Sequence, residues 1–200
     1  LRLLVNPDAA PWDVGWYALV MKGYVWNGSL TGQHDVAFLP LAPWVAKIPA
    51  FFFHLSAADA LLVLAAASSL GTAVLMPKLF EGKTDSCLAS VTAISLLFLN
   101  PFSIYLFNGY PEALYVALAT AFFVAWRNDS RTTAALIAGV ARLARPHALV
   151  LFAAHLIFGL RTQGRWYRPS RDAVISLMAD VPLLLAPIAA FSSWEYLRSG

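Results

Sequence analysis

Two hundred residues carry 60% hydrophobic and only 12% charged side chains, with a formal net charge of +3 and a mean hydropathy of +0.65. Soluble domains balance about half apolar against about a quarter charged residues, so this composition describes a chain built for a bilayer. The pI near 9.2 does not point to nucleic acid, because the basic residues fall in short loops between apolar runs, and the one cysteine, Cys87, rules out an internal disulfide and a thiolate metal cluster.

The expected fold class is all-α, a polytopic transmembrane helical bundle behind a long first extracytoplasmic loop. Residues 1–43 form that loop and residues 44–200 the bundle, with room for about six spans of roughly 20 residues each. The chain opens at Leu1 with no initiator Met, charged leader or signal-type apolar run before Asn6-Pro7, and stops in Trp194-Glu195-Tyr196-Leu197-Arg198. Both ends are therefore expected to be cuts, with a first span and a C-terminal part left off.

In chain order, the polar and aromatic stretch Trp12 to Pro43 comes first. Within it, Val14 to Tyr24 is too short and too mixed to span, which predicts an amphipathic helix at the membrane interface with its rings at headgroup depth. Asn27-Gly28-Ser29 and Gly32 predict a turn. Trp44 to Leu55 is an apolar helix broken by Pro49, and Ala58 to Met76 is long enough to cross before Pro77 ends it. Cys87 to Phe107 spans with a break at Asn100-Pro101. Asn108-Gly109-Tyr110-Pro111 is a turn, with Pro111 at the first position of a helix running to Trp126. Thr132 to Leu143 is a short helix, Arg145-Pro146 breaks it, and His147 to Leu160 follows. Ala173 to Trp194 is the last span, interrupted by Pro182 and Pro187.

The basic loops at 78–86, 127–131 and 161–171 alternate with the spans so as to share one side, cytoplasmic by the positive-inside rule. Asp13, the turn Asn108 to Glu112, Arg145 to His147 and Glu195 then share the other side, and that sorting selects the candidate site. Asp13 has no second acid within twenty residues, so a paired-carboxylate hydrolase is not indicated. A lone base suits the removal of a proton from a hydroxyl when the leaving group is a phosphate that departs unprotonated. Arg145 beside Pro146 offers a bidentate grip on such a phosphate, with Arg142 three residues earlier on the same helical face. Tyr110 and Glu112 offer hydrogen bonds to a sugar, and Trp12 and Tyr24 an aromatic floor.

Each residue also has a plainer reading. Asp13 caps a helix beside a buried ring, Arg142 and Arg145 snorkel to headgroups, and Glu112 complements a helix dipole. Asp180, inside an apolar run, is either a functional group or half of a buried pair, and pairing with another helix is the expectation. His34, His54, His147 and His155 lack metal-ligand spacing, so no metal or other cofactor is expected.

Trp12-Asp13, Gly23-Tyr24, Ala37-Phe38-Leu39-Pro40 with Pro43, Asn100-Pro101, Tyr110-Pro111-Glu112-Ala113-Leu114 and Ala144-Arg145-Pro146 occur in this order over residues 12 to about 150. In these the chain resembles the PIG-V family of mannosyltransferases, membrane enzymes of the GT-C fold. The resemblance implies a lumenal or periplasmic-side active site with Asp13 as the base, a polyprenyl-phosphate mannose donor, inversion at the sugar carbon, and a glycolipid, glycan or protein as acceptor within the membrane lipid. The chain departs from the family in having Phe38-Leu39 where two Phe are usual, Pro111 where Ser commonly stands, and Ala144 and His147-Ala148 around the Arg-Pro pair. The alternative from another class is a transporter or lipid flippase that uses Asp180.

Overall fold

The computed structural model describes residues 13–22, 39–162 and 171–199. It is all-helical, with no strand among the described residues: α1 (Asp13–Lys22), α2 (Leu41–Phe53), α3 (Ala57–Leu75), α4 (Ser86–Phe98), α5 (Ile104–Phe107), α6 (Pro111–Arg127), α7 (Arg131–Ala141), α8 (Leu149–Thr162) and α9 (Arg171–Ser199). The chain divides into two compact units, residues 1–117 and 118–200.

In the first unit α2 begins at buried Pro40 and carries buried Pro43 in its first turn, where a missing N–H costs nothing. The helix expected to break at Pro49 runs through it to Phe53, and His54 closes it in the left-handed conformation. Ser56 then caps α3: its Oγ accepts from the Asp59 N–H at 3.2 Å and donates to the Asp59 carboxylate at 2.7 Å, a reciprocal pair that fixes where the helix starts. Pro77 turns the end of α3 into a single 3-10 turn, Met76–Leu79.

The break expected at Asn100-Pro101 is present as a bend of 70° between α4 and the segment Pro101–Phe107. The side chain of Asn100 holds it: its amide donates to the carbonyls of Leu96 at 3.0 Å and Leu97 at 2.7 Å, and its oxygen accepts from the Phe102 N–H at 2.8 Å. Those backbone groups would otherwise lie unsatisfied at the bend, an expensive state in an apolar medium. Ser69 on α3 anchors the far side of the bend by donating to the Leu106 carbonyl at 2.9 Å.

Gly109 follows, with φ +79, and a Cβ there would sit 3.3 to 3.4 Å from Leu61 and the Leu62 nitrogen of α3. The left-handed backbone conformation favours glycine, and a Cβ would in addition press lightly on the α3 backbone. Gly109→Ala is therefore expected to cost the first unit about 1–3 kcal/mol, read as a lower midpoint of thermal unfolding in detergent; an unchanged midpoint would show that the turn does not bear on α3.

The second unit contains the end of α6 with α7, α8 and α9. The helix α9 was expected to be interrupted at Pro182 and Pro187, yet it is continuous over Arg171–Ser199. Pro187 has no N–H for the carbonyl of Leu183, and it is this carbonyl that meets Gly139 of α7. A Cβ at position 139 would collide with the Leu183 oxygen and lie 3.3 Å from Leu184 Cα. Around that point Ala134, Ala135, Ala138 and Ala141 are all buried, so small residues let the two backbones close up on each other, the contact by which apolar helices associate in lipid. Gly139→Leu is expected to cost about 3 kcal/mol through overpacking against an immovable backbone; cross-linking or exchange measurements that find α7 still seated on α9 in this variant would refute the contact.

Two of the described helical segments, Ala57–Leu79 and Leu177–Trp194, are long and apolar enough to cross a membrane, and the bent pair Ser86–Phe98 with Pro101–Phe107 makes a third if taken as one span. This is fewer than the expected six, because Leu41–Phe53, Arg131–Ala141 and Pro146–Leu160 are apolar but shorter. Large apolar side chains nonetheless face outward, Phe51 at 77%, Phe102 at 74% and Leu99 at 82% exposure among them. An aqueous surface seldom carries so many, whereas hydrocarbon solvates them without cost.

Candidate functional site

Asp13 is the first residue of α1, the position where a short acidic side chain favours a helix start. Val14, Tyr17 and Met21 fall on one face of that helix and are buried against Ala46 of α2 and Ala60 and Leu61 of α3. Tyr110 packs on the same cluster. It also meets Tyr105 edge to face, with ring centroids 5.2 Å apart. The start of α6 follows at once: Pro111 is buried at its first position and Glu112 lies half-buried in its first turn. The helix that Asp13 begins and the Tyr110 that precedes α6, from two distant stretches of the chain, thus pack on one core within the first unit. Trp12 and Tyr24 lie outside the described residues, as do Gly23 and Ala37-Phe38.

The arginines belong to the second unit. Arg142 is the C-terminal cap of α7, and Arg145 is extended at φ −150, ψ 140 ahead of Pro146, with its N–H on the Ala141 carbonyl at 3.1 Å. The two were expected on one helical face, and this is corrected by the structure: Pro146 bars the helical region to the residue before it, so the helix ends at Ala141 and Arg145 leaves its spiral. Leu143, Ala144 and Ala148 are buried around the turn, while Arg142 and Arg145 stay half-buried.

The second unit also holds a polar cluster that sequence reasoning found only in part. Asp180 is buried on α9. Its Oδ2 accepts from Arg131 Nε at 2.8 Å and faces His155 Nε2 at 3.0 Å, so the pairing expected for an acid in an apolar run is realised twice on one oxygen. Arg131 was expected in a charged loop; instead it opens α7 and turns inward, retaining 17% side-chain exposure. His155 is fully enclosed on α8, with Trp126 edge-on at 5.1 Å and Phe122 at 6.4 Å. Gly159, one turn along α8, lets Leu177 of α9 come close: a Cβ there would crowd the Leu177 side chain, 3.2 Å from its Cγ, and lie 3.5 Å from Arg131 Nη2. The signal that could have found this cluster is Asp180 itself, since a buried acid demands a cation from another helix.

An open cavity of about 450 Å³ lies in the first unit among Pro77, Lys78, Glu81, Ser86, Cys87, Ser90, Val91 and Ile94, and it contains none of the expected site residues. Among the described residues no three His, Cys, Asp or Glu side chains converge as metal ligands would. Comparison of the chain with protein-family models, curated proteins and solved structures finds no match.

Proposed function

We propose that this chain is an integral-membrane glycosyltransferase of GT-C type that moves a mannosyl or related residue from a polyprenyl-phosphate sugar to an acceptor hydroxyl on the non-cytoplasmic face. The observation that carries the reading is the shared core of the first unit, where α1, headed by Asp13, and Tyr110, two residues before Glu112, pack on the same apolar cluster. In the reaction the Asp13 carboxylate takes the proton of the acceptor hydroxyl. The oxygen of the acceptor hydroxyl forms the new bond to the anomeric carbon as the bond from that carbon to the donor phosphate breaks, which inverts that carbon. The polyprenyl phosphate departs with the electron pair, and the cations that the sequence offers for the charge developing on it are Arg145 and Arg142. Glu112 and Tyr110 position the sugar, and Trp12 and Tyr24 pack against it. The face is assigned from the Lys and Arg residues of loops 78–86, 127–131 and 161–171.

The test is transfer of label from polyprenyl-phosphate [14C]mannose in membrane vesicles that contain the protein. Labelled product together with free polyprenyl phosphate is the expected result. Vesicles with the protein that transfer no more label than vesicles without it, across glycolipid and peptide acceptors, would end the proposal. A second reading, transport or lipid flipping through Asp180, is favoured by the burial of that acid in a polar cluster. It requires flux in proteoliposomes that Asp180→Asn abolishes and Asp13→Asn does not.

A further inference from the structure

Two cations compete for one oxygen in the second unit, and only one of them is permanent. His155 Nε2 faces the Asp180 carboxylate at 3.0 Å, so in the neutral ring Nε2 carries the hydrogen and Nδ1 the lone pair. That Nδ1 is buried and makes no hydrogen bond within the described protein. Arg131 Nε donates to the same Oδ2 at 2.8 Å, while its Nη2 is buried and also without a hydrogen-bond partner among the described residues. With neutral His155 the cluster carries one negative and one positive charge and balances. The charged groups that face His155 are Arg131 from α7 and Asp180 from α9. The end of α6 contributes the uncharged rings of Phe122 and Trp126, Arg127 at its terminus is exposed, and His147, ahead of α8, is exposed as well.

From this geometry we propose that His155 Nδ1 is a buried proton-binding site, and that its occupation releases Arg131 from Asp180 and so opens the clasp between α7 and α9. A proton on Nδ1 turns a balanced cluster into one with an excess positive charge, in a setting of aromatic rings that solvates charge poorly. One carboxylate oxygen then faces two full cations, and the lesser loss is to let one go. His155 is wholly enclosed and cannot leave. Arg131 keeps 17% of its side-chain surface at the start of α7, so its guanidinium has a short way out to the 128–130 turn. The other end of α7 stays seated, because Gly139 lies against the Leu183 carbonyl and carries no titratable group. The motion is therefore a loosening of the first turn of α7. This inference stands independently of both functional readings given above.

The experiment uses the full chain in nanodiscs with His34→Gln, His54→Gln and His147→Gln, so that His155 is the sole histidine and its ring nitrogens can be read by 15N NMR. At neutral pH the Nε2–H tautomer is expected, passing to imidazolium as the pH is lowered from neutrality. Over the same interval, amide exchange in residues 131–135 of the wild type should rise roughly tenfold while that of residues 138–141 holds. His155→Gln, which keeps a donor for Asp180 and cannot titrate, should show no such rise. An Nδ1–H tautomer at neutral pH, an absence of titration, or exchange at 131–135 that is indifferent to titration would each overturn the proposal. If His155→Gln does not fold, the tautomer and the exchange in the chain that retains His155 decide the matter alone.

Discussion

Asp13→Asn is expected to lower the rate of sugar transfer by about 10²–10⁴-fold while leaving the protein folded and inserted. The amide matches the carboxylate in size but cannot accept a proton from the acceptor hydroxyl, so the substitution removes the base and little else. Loss of the negative charge in the first turn of α1 costs about 0.3–1 kcal/mol, too little to unfold the protein. The contacts that seat α1 come from Val14, Tyr17 and Met21, which the change does not touch. Equal amounts of the two proteins in membrane vesicles should therefore differ in turnover alone. Asp13→Glu, which keeps the charge on a longer arm, should fall between the two. Undiminished transfer by Asp13→Asn would remove the base from this residue. Loss of the protein from the membrane instead would mean that Asp13 serves the fold.

A large loss of stability, matching that expected of Gly139→Leu, follows Asp180→Ala. It strips the carboxylate from two buried partners at once and leaves Arg131 and His155 facing each other with nothing between them. Breaking a buried pair from one side costs about 3–5 kcal/mol in general. The lower end applies here, because the guanidinium keeps part of its surface and can turn outward. Asp180→Asn should cost less, since its amide oxygen still accepts from Arg131. Thermal unfolding in detergent gives the ordering, and a double-mutant cycle with Arg131→Ala gives the coupling, expected to be clearly non-additive. An Asp180→Ala protein as stable as the wild type would mean that the cluster does not hold the second unit together.

Several elements were legible from residue type alone because their causes are local. Asn108-Gly109-Tyr110-Pro111 reads as a turn before a helix, and α6 begins at Pro111. Asn100-Pro101 reads as a break, and the bend is there. What misled was proline taken as an interruption. Pro49 sits within α2, and Pro182 and Pro187 within α9, without ending either helix. A proline removes one hydrogen bond, but the freed carbonyl need not end a helix when a glycine on a neighbouring helix lies against it, as Gly139 lies against Leu183. The same prolines and short segments made the span count from length alone larger than the two or three that the described helices support.

The candidate site divides in the same way. Asp13, Glu112 and Arg145 were singled out by residue type beside a turn or a proline, and the backbone places them at a helix start, in a first helical turn and in an extended bend, respectively. The expectation that Arg142 and Arg145 share a helical face failed because the conformation of residue 145 is dictated by the ring of the residue after it.

Composition, the apolar runs and the turn-forming dipeptides determined that this chain is helical, where most of its helices start, and that an acid at position 180 would need a partner. They could not determine which partner. Arg131 and His155 stand 49 and 25 residues away along the chain, and only the packing of α7 and α8 on α9 brings both to a single oxygen. Local structure is written in the torsional preferences and capping chemistry of neighbouring residues. The meeting of distant charges depends on how closely helices approach, which here a stripe of alanines and one glycine decides.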